Sequence, residues 1–137
     1  MLPGAKVFLK NPKLDKYLFV LRDNKPTIPN PNKWSILGGG IEEGENPTEA
    51  LIREIREEIG TDIYNVDLVT KIQHTQRIQE KDYNIDIYIF KALIDAELHE
   101  INLNEGQKVS YFSIDEILEK DLVLGVRELI IKYKNRL

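Results

Sequence analysis

Residues 39–60 read GGIEEGENPTEALIREIREEIG, with seven glutamates and two arginines in 22 positions. Glu54, Glu57 and Glu58 stand at i, i+3 and i+4, a spacing that sets side chains next to one another on one helix face. Asn46 suits the N-cap and Pro47 the first helical position. Leu51, Ile52, Ile55 and Ile59 make an apolar stripe, and Gly60 follows as a stop. Such a helix packs inward on its stripe while three carboxylates face a cleft. Adjacent carboxylates repel, so some stay protonated or take up cations; hard divalent ions, Mg²⁺ above all, match oxygen ligands of this kind. The same spacing also serves a plain solvated acidic face. The glycines ahead of the helix let backbone approach a ligand closely, and the combination implies a metal–phosphate site.

The rest of the chain narrows the setting. At 137 residues with 42% hydrophobic and 31% charged residues, it fits one soluble α/β domain spanning 1–137. A net charge of −4 without a basic run gives no footprint for a long nucleic acid. The absence of cysteine excludes disulfides, thiolate metal sites and cysteine nucleophiles. No leader-like pattern opens the chain and no apolar run is long enough to span a bilayer, so a cytoplasmic protein without a membrane partner is expected.

Strands are expected at 5–10 and 17–22, with a short one at 34–37 running into the glycines. Segments 66–79 and 83–94 should form a long hairpin turning at Glu80-Lys81-Asp82, followed by a strand near 107–112. Ser113 and Glu116 carry a capping-box signature for a short helix, and a last helix is expected near 124–135. Residues 23–33, DNKPTIPNPNK, cannot be regular structure; they form either a spacer or a substrate-facing loop. Of the two histidines, His74 falls in a strand able to line a cleft, although a hydrogen-bonded strand histidine is the commoner case. Trp34 reads as a core or loop anchor before a base-stacking platform. Arg22 and Lys33 flank the proline loop and could meet phosphates.

Position by position, the opening segment resembles the Nudix hydrolase signature G-x5-E-x7-R-E-U-x-E-E-x-G-U, U being a bulky aliphatic. Gly39, Glu45, Arg53, Glu54, Ile55, Glu57, Glu58 and Gly60 fill eight of its nine specified positions, and Thr61 replaces the final aliphatic. The resemblance implies an α/β/α sandwich around a mixed β-sheet. It also implies hydrolysis of a nucleoside diphosphate linked to another moiety, with Mg²⁺ as cofactor and Mn²⁺ able to substitute.

It further implies that Glu54, Glu57 and Glu58 hold metal together with the carbonyl of Gly38, while Glu45, Arg53 and Gly60 serve structure. Gly39, Gly40 and Arg22 become candidates for contacting a nucleotide-type substrate. The chain looks most similar to MutT-like nucleoside triphosphate pyrophosphohydrolases. Glu105, in Asn104-Glu105-Gly106-Gln107, matches a further metal-linked carboxylate in that group and is the favoured general base; Glu54 and Glu58 are alternatives, with Glu97 and Glu100 nearby rivals. That group places an asparagine near the last helix to read a purine edge, where this chain has Leu124-Gly125-Val126. The implied substrate is a (d)NTP, 8-oxo-dGTP among the candidates, or else an NDP-sugar, dinucleotide or coenzyme. A module that only bound nucleotide would be expected to lose box carboxylates, and all are present.

Overall fold

Alternation of Ala5, Val7 and Leu9 with Lys6 and Phe8 makes a strand with work on both faces, and this segment is β1 (Gly4–Asn11), the axis of the sheet. The computed structural model describes residues 2–137. β2 (Lys16–Leu21) returns antiparallel to β1, pairing Leu9 with Leu18. Two short strands follow the proline loop: β3 (Trp34–Ser35) pairs with β2, and β4 (Leu37–Gly40) pairs with β1. The chain from 34 to 40 thus crosses from one strand to the other where they part. The three glycines belong to a strand rather than to a turn beyond it.

The helix α1 (Pro47–Ile59) forms where its caps direct. Asn46 Oδ1 accepts from the Glu49 amide at 2.8 Å while Glu49 Oε1 accepts from the Asn46 amide at 3.2 Å. At the other end Gly60 adopts φ 66° and donates to the Arg56 carbonyl. Ala50, Leu51, Ile55 and Ile59 are fully buried; Ile52, expected in the stripe, is only partly covered.

β5 (Tyr64–Ile78) and β6 (Lys81–Leu93) form the long hairpin. Its turn is Gln79-Glu80, both at positive φ (49° and 66°), one residue earlier than the charge pattern suggested. A two-residue turn of this hand follows the twist of the flanking strands, which settles the register. β6 runs parallel to β1 only from Ile87 to Leu93, so the outer half of the hairpin is a two-stranded ribbon. β7 (Lys108–Phe112) completes the mixed seven-stranded sheet beside β2.

One sheet face packs on α1 through Val7, Leu9, Leu18, Leu51, Ile55 and Ile59. The other packs on α2 (Ile114–Leu118) and α3 (Val126–Tyr133) through Phe8, Phe19, Trp34, Ile117 and Ile130. This is the expected α/β/α sandwich. The last helix is shorter than its expected span: Gly125 at φ 92° starts it late, and residues 134–136 tighten into a 3₁₀ turn. Trp34 is a core anchor, edge-on to Phe112 at 4.9 Å between centroids. No helix among the described residues is long and apolar enough to cross a membrane.

The crossing at β4 depends on Gly38. Its φ is 136°, and a Cβ there would lie 2.0 Å from the Ala5 carbonyl oxygen. Gly38→Ala is expected to destabilise the protein by roughly 3 kcal/mol or more, since backbone on both sides has to move. Gly44→Ala, at φ 86° but with nothing within 4 Å of the new Cβ, should cost only about 1 kcal/mol. Urea unfolding of the two variants checks the contrast.

Candidate active site

Where β1 and β2 part, a cleft of about 310 Å³ opens between β4, α1 and the loop ahead of β7. It is lined by Gly38, Gly39 and Gly40, by Glu54 and Glu58 of α1, by Glu105, and by Arg22 and Lys6. A Cβ on Gly39 would fall 2.3 Å from the Glu54 carboxyl group, so the bare strand is what lets that carboxylate lie flat against it. Gly106, at φ 94°, fits closely under Val20 and the Leu21 carbonyl.

Arg53 organises the acidic rim. Its Nε and Nη2 grip Glu45 at 2.7 and 2.9 Å, a bidentate pair, and Nη2 also donates to the Gly40 carbonyl at 2.9 Å. Nη1 reaches Glu54 at 3.1 Å and Glu57 at 3.2 Å. Hydrogen bonds to Arg53 hold the Glu45 carboxyl down at about 2. Glu45 also accepts from the Glu42 amide at 2.9 Å, so the loop from Gly40 to Asn46 is tied to the helix at both ends. Glu57 does not line the cleft; its side chain is 59% exposed and turned to Arg53.

The loop carrying Glu105 rests on the C-terminal end of α1. Amides of Asn104 and Asn102 donate to the carbonyls of Glu58 and Ile59 at 2.9 and 3.2 Å, and Asn104 Nδ2 donates to the Glu57 carbonyl at 2.7 Å. These carbonyls have no partner within the helix, so the loop is held by groups that need one. Gln107 then stitches the proline loop in place, donating through Nε2 to the Arg22 carbonyl and to Asn32 Oδ1 at 2.8 and 2.9 Å. Asp23 and Ile28 stand on the cleft wall beside Arg22, so the proline loop contributes to the site rather than merely spacing two strands.

Lys6 was not singled out in the sequence. A lone lysine between two core positions of a strand looks like ordinary alternation, and nothing local says which cleft it will meet. Its ammonium donates to the Gly38 carbonyl at 3.2 Å. Burial pushes its pKa down, Glu58 opposes this, Arg22 adds to it, and Glu54 and Glu105 oppose it again. Burial likewise pushes the Glu58 carboxyl up to about 7; Lys6 draws it back, Glu54 and Glu105 raise it further, and a Gly38 backbone hydrogen bond lowers it.

Other candidates lie elsewhere. His74 is exposed on the ribbon, opposite Ile85, and does not line the cleft. Lys33 is also outside it, near Asp121 at 3.7 Å. Glu97, His99 and Glu100 are, among the described residues, the group whose potential ligand atoms lie within 4.8 Å of one another, but they sit exposed on a 3₁₀ turn off the cleft. Their proximity follows from a capping box there and a 3.3 Å contact of His99 with Glu97. Glu54, Glu58 and Glu105 share the cleft at wider spacing.

Comparison with known proteins agrees with this geometry. The NUDIX domain family matches residues 2–133. The nucleoside triphosphatase NudI of Escherichia coli K12 is 31% identical over 107 residues, covering 73% of this chain and 75% of its own. A chain with this box, fold and cleft belongs to the Nudix family of hydrolases. Among solved structures, the MutT protein of Methanosarcina mazei Go1 superposes with a TM-score of 0.75 at 20% identity, over 98% of this chain and 94% of that one. The dihydroneopterin triphosphate pyrophosphohydrolase of E. coli gives 0.77 at 15%, over 98% and 95%. The NUDIX domain of Shewanella oneidensis NrtR, solved with ADP ribose, gives 0.77 at 18%, over 99% and 88%. At these identities the likeness is one of fold.

The raised Glu58 carboxyl makes metal-free stability depend on pH. Between 4.5, the ordinary value, and about 7 the folded chain holds a proton that the unfolded chain has released. That stabilisation is complete below 4.5 and lost as pH rises through 7. Glu58→Gln removes the dependence. In EDTA, its stability relative to wild type should rise by on the order of 2 kcal/mol from pH 4.5 to pH 8, as measured by urea unfolding, with partial solvation trimming the ~1.4 kcal/mol per pKa unit.

Proposed function

We propose that the protein is a Mg²⁺-dependent pyrophosphohydrolase that cleaves the diphosphate linkage of a nucleoside triphosphate or a related nucleoside diphosphate derivative, Mn²⁺ being able to substitute. The observation that carries the reading is the convergence of Glu54, Glu58, Glu105 and the Gly38 carbonyl on one cleft that also holds Arg22. Relatedness to a nucleoside triphosphatase supports the substrate class. The donor set is all oxygen, and a buried carboxyl pushed up to about 7 is one that a cation would relieve. Residues that would hold the ion are Gly38, Glu54, Glu58 and Glu105, with Glu57 joining once it turns from Arg53. A bound ion supplies charge neutralisation on the diphosphate and polarises its phosphorus.

The chain's own groups do the remaining work. Arg22, steadied by its 3.1 Å bond from Nε to the Pro29 carbonyl, keeps its other N–H groups for phosphate oxygens. Gly39, bare beneath the Glu54 carboxylate, and Gly40 line the cleft wall along which the phosphate chain would lie. Glu105 is the proposed general base: it is exposed at the cleft, on a loop anchored to α1, where it reaches water more readily than the half-buried Glu54 and Glu58. Glu45, Arg53 and Gly60 hold the frame.

Base recognition has little polar chemistry near α3. Leu124 is 79% exposed and Val126 is buried, and with Gly125 between them these three residues carry no side-chain hydrogen-bonding group for a purine edge. Selectivity for oxidised guanine is therefore not expected from this position. A panel of canonical and oxidised (d)NTPs, NDP-sugars and dinucleotides, assayed with Mg²⁺ for released phosphate and pyrophosphate, should show triphosphate turnover that EDTA abolishes. Turnover confined to NDP-sugars or dinucleotides would reject a nucleoside triphosphate as the substrate while keeping the diphosphate chemistry, and no product from any compound would reject the enzyme reading.

Glu105→Gln should lower kcat by about 10²-fold or more, the loss expected for a general base. Glu58→Gln should lower kcat at least as far while the circular dichroism spectrum stays native. A kcat close to wild type in Glu105→Gln would move the base to Glu54 or Glu58.

A further inference from the structure

The cleft already contains a cation. Lys6 rises from the middle of β1, between the fully buried Ala5 and Val7, and its ammonium sits 3.2 Å from the Gly38 carbonyl oxygen. Among the described residues that oxygen is its one hydrogen-bond acceptor, and no carboxylate comes within 4.0 Å to form an ion pair. Glu58, Glu54 and Glu105 nonetheless all act on it electrostatically, Glu58 most strongly. The position is set by backbone: Lys6 and Gly38 are directly paired across β1 and β4, so closely that a Cβ on Gly38 would lie 2.0 Å from the Ala5 carbonyl oxygen. A positive charge is thereby held against an oxygen, among acidic groups, that the proposed function gives to a divalent ion.

We propose that Lys6 is a resident counter-cation that competes with divalent metal for the Gly38 carbonyl and the field of Glu54, Glu58 and Glu105. This inference rests on the metal-dependent reading above. In the nucleotide-free protein the ammonium balances one of the cleft's negative charges and occupies the carbonyl. A divalent ion using that oxygen has to push the ammonium aside and then bear its repulsion. Lys6 thus weakens metal binding to the empty site. The phosphate charge of a substrate offsets the repulsion, so metal binds more readily together with nucleotide than ahead of it.

The test is Mn²⁺ binding to nucleotide-free protein at pH 8, read by calorimetry and by the spectrum of free Mn²⁺, for wild type, Lys6→Met, Lys6→Gln and Lys6→Arg. Methionine keeps much of the stem without the charge, so Lys6→Met should bind Mn²⁺ at least tenfold more tightly. Lys6→Gln should move the same way, and Lys6→Arg should stay near wild type. Lys6→Gln carries the comparison if Lys6→Met does not fold. Neutral variants that bind Mn²⁺ as wild type does, or more weakly, overturn the role of Lys6 and leave the metal reading standing. If neither wild type nor any variant binds Mn²⁺ at millimolar concentration, removing the Lys6 charge has not freed the site and this proposal falls, while the metal reading is decided separately by whether EDTA abolishes turnover.

Discussion

Arg53 is the constraint on which the site is built. One guanidinium joins the loop leaving β4, through the Gly40 carbonyl and Glu45, to the helix face carrying Glu54 and Glu57. A planar fork with five donors suits this in a way that a lysine does not, because several acceptors in different directions are satisfied from one rigid group. The strand, the loop and the helix therefore keep one arrangement, and the cleft between them keeps its shape. Hydrogen-bonding capacity that water would otherwise satisfy is used to fix backbone.

Around that frame the electrostatics are deliberately unbalanced. Glu45, ahead of α1, is held ionised by Arg53, whereas Glu58, near the end of that helix, is pushed towards neutrality by burial and by its acidic neighbours. The loop glutamate and the helix glutamate thus take opposite characters because one faces a guanidinium and the other a cleft. Lys6 and Arg22 temper the cleft without cancelling it.

The helix and its caps were legible because their signals are local. Asn46, Pro47 and Gly60 mark the ends, and carboxylates at i, i+3 and i+4 must share a face. The sandwich followed from the order of strands and helices together with the family resemblance. What local reading missed is long-range. The approach of Lys6 to Gly38 comes from strand pairing across 32 residues, and the diversion of Glu57 to Arg53 is a choice among acceptors that only the assembled loop decides. The proline loop could be read as irregular, but its place against the cleft is set by Gln107, 75 residues beyond Asn32. The hairpin turn fell one residue early because charge pattern is a weaker guide than the backbone hand a two-residue turn requires.

The ribbon formed by the outer half of that hairpin has a consequence for dynamics. Residues 73–78 and 81–86 pair only with each other, whereas the inner part of β6 also lies against β1. Amide protons of the ribbon are thus guarded by a single ladder, and two strands alone are marginal in water. Hydrogen exchange should therefore run along the hairpin as a gradient, fast at Gln79-Glu80 and slow from Ile89 inward, with the cleft walls of β1 and α1 among the last regions to open.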